Sequence, residues 1–241
     1  MADWFELNGK KSTEYGVHVS TFPSIILPGE RVQTYQVPGR HGDLEIRENA
    51  YLPIILTFEC VSKNIDHLDE FSGMLRERGW LRMGNYPEFA YWARMISQID
   101  VDQVRKGRQN RAFSILFDCQ PFRYLWPEPE AIMISVSDYP TGSRSIQNTG
   151  NVESEPKFVF RGNGEFTVTV GMTLMTFRNV QGGIVVDSKA EDCFNLDENM
   201  LENDNVEIGD SDFPKLQPGA NMISWSGDIE SITIYPRWRN V

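Results

Sequence analysis

The stretch VPGRHGD at residues 37–43 combines a histidine, an arginine and an aspartate with two glycines. A histidine near a carboxylate can transfer protons, and a glycine-rich turn that opens a helix can cradle phosphate with its backbone N–H groups. The residues that follow, LEIRENAYLPIIL, have the composition of a strand instead. We therefore expect Gly39 and Gly42 to supply the positive φ of a hairpin turn, and we favour this turn over a functional loop.

The remaining candidates for chemistry form no recognisable constellation. Metal sites need ligands at set spacings, which the histidines and cysteines do not show (His18, His41, His67, Cys60, Cys119 and Cys193). The GxSxG motif of a nucleophile elbow is absent from the sequence. Carboxylates are abundant, but nothing singles out a glycosidase pair. The sequence therefore predicts no enzymatic activity, no cofactor and no metal.

Residues 187–212 form an acidic stretch with ten acidic residues and one lysine. Calcium prefers carboxylate and carbonyl oxygens, so a calcium loop is one interpretation. The EF-hand register fails, however, because Leu201 and Glu202 would occupy the third ligand position and the glycine position. We favour a solvated loop or outer face over a calcium site.

Overall charge and cysteine usage exclude several classes of protein. The chain has 34 acidic and 23 basic residues and a net charge of -11, which is unsuited to phosphate backbones or anionic membranes. It shows no signal peptide and no apolar run long enough to span a bilayer. Its three cysteines are odd in number and far apart, as expected for buried, reduced thiols in a protein that folds in a cytoplasm.

Strand patterns dominate the first part of the chain, together with one helix. The segments IILTFECV (54–61) and RAFSILFDC (111–119) are expected strands, and a strand–turn–strand unit is expected around Gly84-Asn85. Between them, residues 65–78 should form a helix, capped by Asn64 and stopped by a left-handed Gly79. Residues 101–111 are polar and basic, which indicates a loop or hairpin tip.

A proline-rich connector at 121–130 suggests a domain boundary, giving domains of 1–128 and 129–241. Past residue 130, short strands alternate with Gly, Asn, Asp and Pro, as is typical of a β-sandwich. Separate strands are expected, among others, at 157–162, 165–171, 221–227 and 229–238. Sandwiches often bind sugars, and Trp225 and Tyr235 on predicted strands could contact a saccharide. A tryptophan on such a strand more commonly lies in the core.

The order of several modest motifs resembles the distal tail proteins of long, non-contractile-tailed bacteriophages. In the first domain these motifs are WFELNGKKSTEYGVHV, YQVPGRHGDL, LRERG with GWLRM and YWARM, and FDCQPFRYL. In the second domain they are NTGNVESEPKFVFRGNGEFTVTV and FPKLQPGANMISWSG with ITIYPRW. The resemblance spans nearly the whole chain. It departs from the family at His41, where an aspartate is frequent, and across 187–212.

The resemblance implies a mainly β protein with a split-barrel-like N-terminal domain, one helix at about 65–78, and a galectin-like C-terminal sandwich. It implies a homohexameric ring in the virion, at the distal end of the tail, joining the tail tube to tail-tip or baseplate proteins. The sandwich would hold tip proteins or bind a host-surface saccharide. Ring contacts could come from hairpins or strand edges that reach a neighbour, which makes the turn residues Val37, Pro38, Gly39, Arg40, His41, Gly42 and Asp43 interface candidates.

Overall fold

The computed structural model describes residues 3–62, 68–99, 111–209 and 212–241. The chain divides into two compact units, Met1–Trp126 with Val241, and Pro127–Asn240. Each unit is built mainly from antiparallel strands, and the described residues contain one α-helix. The predicted mainly β fold with a single helix is confirmed. In the described part of the chain, no helix has the length and apolar character needed to cross a membrane.

The first unit is a curled antiparallel sheet with a helix and a separate hairpin. The elements in chain order are β1 (Phe5–Leu7), β2 (Lys10–Lys11), β3 (Val17–Thr21), β4 (Glu30–Tyr35), β5 (Leu44–Tyr51), β6 (Ile54–Ser62), α1 (Leu68–Arg76), β7 (Gly79–Met83), β8 (Tyr86–Met95) and β9 (Arg111–Leu125). The sheet has the strand order β2-β1-β7-β8-β9-β6-β3.

Alternation along β6 builds the core of this unit. Every second residue from Ile54 to Cys60 is buried, and the residues between them face outward or lie partly exposed. Phe58 meets Phe5 and Phe117 with ring centroids 5.4 and 5.6 Å apart, and Phe5 lies 5.5 Å from Phe117. These tilted and edge-to-face pairs stabilise the sheet beyond their buried area. Three distant segments are thereby fixed to one another.

Helix α1 covers this aromatic core with Phe71, Met74 and Leu75, which are all buried. It ends at Arg76, two residues before the predicted end, while the predicted start and the Asn64 cap lie outside the described residues. The predicted left-handed stop at Gly79 is wrong, because Gly79 begins β7 and has no positive φ. A Cβ at Gly79 would lie 1.8 Å from Oδ1 of Asn8, so any larger residue there would have to displace the Asn8 side chain.

The hairpin of β4 and β5 stands apart as a two-stranded sheet, which we call the arm (residues 30–51). All six residues of β4 are exposed, and none of β5 is buried. The N–H of Leu52 donates to the carbonyl of Gly29 over 2.8 Å and closes the arm at its base. The adjoining strand β6 then enters the core, so the arm is anchored at one end only.

The second unit has the strands expected of a sandwich, but two of them are much longer than predicted. They run in chain order as β10 (Ile132–Ser135), β11 (Ser143–Asn148), β12 (Lys157–Val170), β13 (Thr173–Val180), β14 (Ile184–Asp187), β15 (Asp192–Phe194), β16 (Val206–Ile208), β17 (Gly219–Tyr235) and β18 (Arg239–Asn240). The sequence predicted separate strands at 157–162 and 165–171, and again at 221–227 and 229–238. Each pair is one continuous strand with an irregular register in its middle.

The irregularities let β12 and β17 each serve two groups of strands. The first half of β12 pairs with β14, and its second half pairs with β13. The late part of β17 pairs with β10, and its early part pairs with β11. Strands that bend at bulges commonly form such corners between packed sheets. Phe160, Phe166 and Phe177 fill the interior, with the last two rings stacked at 4.6 Å.

Two glycines permit this bend. At Gly162 a Cβ would lie 2.4 Å from the carbonyl oxygen of Asp228. At Gly227, where φ is +92°, a Cβ would lie 2.7 Å from the carbonyl oxygen of Glu165 and 2.8 Å from the Cα of Phe166. Both approaches are to backbone, which cannot move aside without disturbing the sheet.

We therefore expect Gly227→Ala to destabilise the protein by roughly 3 kcal/mol or more, since it adds a steric clash to an unfavourable φ. Gly164→Ala is the matched control, because Gly164 also has positive φ (+72°) but has no atom within 4 Å of its Cβ position. The control should lose only about 1 to 2 kcal/mol. Urea unfolding monitored by tryptophan fluorescence measures both, and equal losses would contradict the role of Gly227 at the corner.

Candidate functional site

The residues Val37–Asp43 form the tip of the arm. The N–H of Arg40 donates to the carbonyl of Val37 over 3.1 Å, which closes a turn with Pro38 and Gly39 at its centre. Proline followed by a residue of positive φ is the signature of a type II turn, and Gly39 has φ +83°. Gly42 has φ +77°. The predicted hairpin turn and the predicted role of both glycines are confirmed.

All seven residues of the tip are exposed, and His41 lies among them. Within the described residues, no three His, Cys, Asp or Glu side chains are grouped so that they could hold a metal ion. The tip therefore presents shape and charge to its surroundings, with one cation at Arg40 and one anion at Asp43. Its geometry suits contact with another surface.

The strands of the arm have two unequal faces. Gln33 is directly opposite Ile46, and Tyr35 is directly opposite Leu44, so these four side chains share one face. Tyr35 and Ile46 are 48 % and 49 % exposed there. Val32 and Arg47 lie on the other face, where Arg47 forms a 3.5 Å ion pair with Glu30. The first face thus exposes Tyr35 and Ile46 beside polar groups, because Gln33 donates to Glu48 and accepts from the Tyr35 hydroxyl, and Arg31 forms an ion pair with Glu48. We call Tyr35, Leu44 and Ile46 the apolar face of the arm.

Sequence reasoning found the tip but missed this apolar face. In the sequence, these residues alternate with charged and polar ones. That pattern suggests a hairpin with both faces in solvent. A signal was present, because Tyr35, Leu44 and Ile46 fall at positions that face the same side once the turn sets the register. The register itself became visible only in the folded arm.

Trp225 and Tyr235, the candidate saccharide contacts, do not share a surface. Trp225 is 8 % exposed and packs edge-to-face against Tyr139 at 6.2 Å. This burial agrees with the core position that the sequence favoured for Trp225, and contact with a saccharide stays a prediction. Tyr235 is 37 % exposed, but Lys157 Nζ lies 5.0 Å from its ring centroid. The two rings cannot act as one platform.

The acidic stretch contains a structural ion pair. Asp187 accepts two hydrogen bonds from Arg237, at 2.6 and 2.8 Å, and Arg237 also donates to the carbonyl of Glu155. Burial raises the pKa of Asp187, but the hydrogen bonds and the charge of Arg237 outweigh that effect and hold the pKa below its ordinary value. Further along, Asn195 Oδ1 accepts from the N–H groups of Asn199 and Met200 and orders the loop.

Cys60, Cys119 and Cys193 are free thiols, and all three are buried. Burial raises the pKa of Cys60 and of Cys193 to about 12, with smaller contributions from nearby carboxylates. Burial also raises the pKa of Cys119. A thiol with so high a pKa is protonated at neutral pH and is a poor nucleophile or metal ligand.

Comparison with known proteins supports the fold. No protein-family model matches the chain, and no curated protein matches it. Among solved structures, the chain is similar to the SPP1 Dit (gp 19.1) protein, described as a paradigm of the hub adsorption apparatus in phages that infect Gram-positive bacteria. The TM-score is 0.72 over 97 % of this chain and 98 % of that one, at 13 % sequence identity. The chain therefore shares the fold of this phage hub protein.

Removing the charge of Asp187 should destabilise the protein in a pH-dependent way. Because the folded-state pKa is lowered, the stabilisation is present above the unfolded value near 3.8 and is lost as pH falls through the folded value. We expect Asp187→Asn to cost roughly 2 kcal/mol at pH 7. The difference in unfolding free energy between this variant and the parent protein, measured by urea titration, should shrink below pH 4. A difference that is constant from pH 7 to pH 3 would contradict the assignment.

The native protein should react slowly with a thiol reagent at pH 7. Ellman's reagent should release about three equivalents of chromophore only after unfolding in guanidinium chloride, since burial both shields the three thiols and keeps them protonated. Rapid labelling of even one thiol in the native protein would show that a cysteine is accessible and would contradict this picture.

Proposed function

We propose that the chain is a structural subunit of a phage tail and that six copies form a ring at the distal end of that tail. In this role it serves as a hub between the tail tube and tail-tip or baseplate proteins, and it is not an enzyme. The fold shared with a phage hub protein supports the class of function. The arm is the observation that carries the ring, because it offers an apolar face that the chain itself leaves uncovered.

An isolated two-stranded hairpin is marginally stable in water, and it gains stability when one face packs against another surface. The arm has the length and exposure to reach a neighbouring copy. A contact between the arm of one copy and a different surface of the next copy is heterologous, and such contacts generate rings when the rotation closes. Burying Tyr35 and Ile46 in each contact would supply the apolar core that stable interfaces contain.

The chemistry of the whole chain is compatible with this role. A net charge of -11 disfavours adhesion to DNA that passes through a ring. Free, buried thiols are compatible with folding and assembly in the cytoplasm of a bacterial host, before release in the virion. Binding of a host-surface saccharide by the second unit is less favoured, because only Tyr235 of the two proposed rings is exposed.

Native mass spectrometry of the purified protein should show a hexamer, and the double variant Tyr35→Ser with Ile46→Ser should dissociate at a higher concentration. Each substitution removes about 1.5 kcal/mol of apolar burial per interface, so we expect the interface to weaken by roughly a hundredfold. Both residues are exposed in the single chain, and thermal unfolding of the monomer should change little.

Met133→Ser is the matched control, because Met133 is 75 % exposed but lies on β10 of the second unit. It should leave the oligomer unchanged. A parent protein that remains monomeric at high concentration would contradict the proposed ring. A hexamer that resists the double substitution would contradict the role of the arm face.

A further inference from the structure

A small cavity opens beside the base of the arm. It has a volume of about 170 Å³ and is lined by Pro53, Arg78, Trp92, Asp118, Cys119 and Gln120. An apolar cavity of about 150 Å³ holds a single benzene ring, so this one has room for one ring-sized group. Cys119 is buried at its floor, whereas Pro53, Arg78 and Gln120 are exposed at its mouth. We call it the base pocket.

The base pocket joins apolar walls to opposite charges. Trp92 and Pro53 supply the apolar walls, and Arg78 supplies a cation. Asp118 supplies an anion, held by a 3.0 Å ion pair with Arg94. Ile55 is directly opposite Asp118 in the β6–β9 pairing and therefore shares its face of the sheet. Ile55 and Leu52 are 51 % and 44 % exposed, so an apolar rim adjoins the pocket.

We propose that the base pocket receives the arm tip of a second copy of this chain. Pro38 enters the pocket beside Trp92, Val37 packs on the apolar rim, and Asp43 faces Arg78. This inference rests on the proposed ring and names the surface that each arm meets. The type II turn presents Pro38 outward on a rigid, exposed corner. Proline rings dock readily in aromatic-lined grooves because little conformational entropy is lost.

The charges of the two surfaces are complementary. The tip carries Asp43 and the pocket mouth carries Arg78, both exposed, whereas Asp118 is already paired with Arg94. One orientation of the tip therefore places Asp43 near Arg78, and the reverse orientation sets the cation of Arg40 against Arg78. Such pairs at the edge of an interface mainly fix its register and disfavour wrong partners. An apolar ring at the centre with charges around it is the arrangement of a specific contact.

The tip of a chain cannot fill its own base pocket. Pro53 lies at the base of the arm, and β5 separates it from the tip by eight residues. At about 3.3 Å per residue, an extended strand of that length spans roughly 25 Å. The occupant must then be the tip of another copy. Because tip and base are different surfaces, the contact is head-to-tail and can repeat around a closed ring.

Cysteine cross-linking of the full chain tests this contact. The variant His41→Cys with Gln120→Cys places one thiol on the tip and one at the pocket mouth, both at exposed positions. The three native thiols are buried and protonated, so they compete little for the reagent. With a short bis-maleimide, we expect covalent ladders from dimer to ring. An equimolar mixture of the two single variants should yield dimers only, which shows that the link joins two chains.

His41→Cys with Lys10→Cys is the matched control, because Lys10 is exposed on β2, four strands from β9 in the same sheet. It should give at least tenfold less cross-linked product. If a hexamer forms but the His41–Gln120 pair links no better than this control, the base pocket is not the receptor, although the ring stands. If no oligomer forms at all, the proposed ring itself fails.

A charge exchange provides a second readout without cysteines. Arg78→Glu and Asp43→Lys should each raise the protein concentration at half-assembly by about tenfold, and the double variant should recover most of that loss. Both residues are exposed, so neither substitution should disturb the fold. The unfolding curve of each variant verifies this. Losses that simply add in the double variant would overturn the pairing of Asp43 with Arg78.

Discussion

The surface of a two-stranded arm cannot be buried within the arm itself. Each strand has two faces, and pairing satisfies one backbone edge without covering either face. In this chain all six residues of β4 are exposed, yet β6, which follows the arm directly, alternates into a closed aromatic core. The first unit therefore combines a packed body with a projection whose apolar face the unit itself leaves uncovered.

Rigidity at the base of the arm is what makes the projection specific. The Leu52–Gly29 hydrogen bond closes the arm where it leaves the body, and two residues later Ile54 is buried. A projection on a flexible linker would lose much orientational entropy on binding, whereas one continuous with a core strand has a defined direction. The base pocket lies beside that same junction, so one region presents both the root of the arm and the proposed receptor for the arm of another copy.

Sequence patterns predicted the elements whose environment is uniform along their length. The alternation of β6 and β9 and the apolar spacing of α1 were readable because each faces a single core. The sequence patterns failed at glycines whose Cα is closely approached by another part of the chain. Gly79 suggested a helix stop, but it lies in strand β7 against the side chain of Asn8, which is far away in the sequence. Likewise, Gly162 and Gly227 suggested strand ends, although they allow continuous strands to pass a corner. Such constraints come from residues that are distant in the sequence but close in the fold, and a local sequence pattern carries no information about them.

The candidate site was only half visible in the sequence for a related reason. The turn chemistry of Val37–Asp43 is local, and the glycines and proline specify it directly. The base pocket is assembled from the β5–β6 junction, the link between α1 and β7, β8 and β9, so its residues are spread over nearly 70 positions, from Pro53 to Gln120. None of them is unusual at its own position. A binding site is recognisable only when the aromatic wall, the cation and the anion are seen together around one ring-sized space. A tip that is specified locally can thus meet a receptor that exists only after folding, which orders the two events: the body must fold before arms can engage.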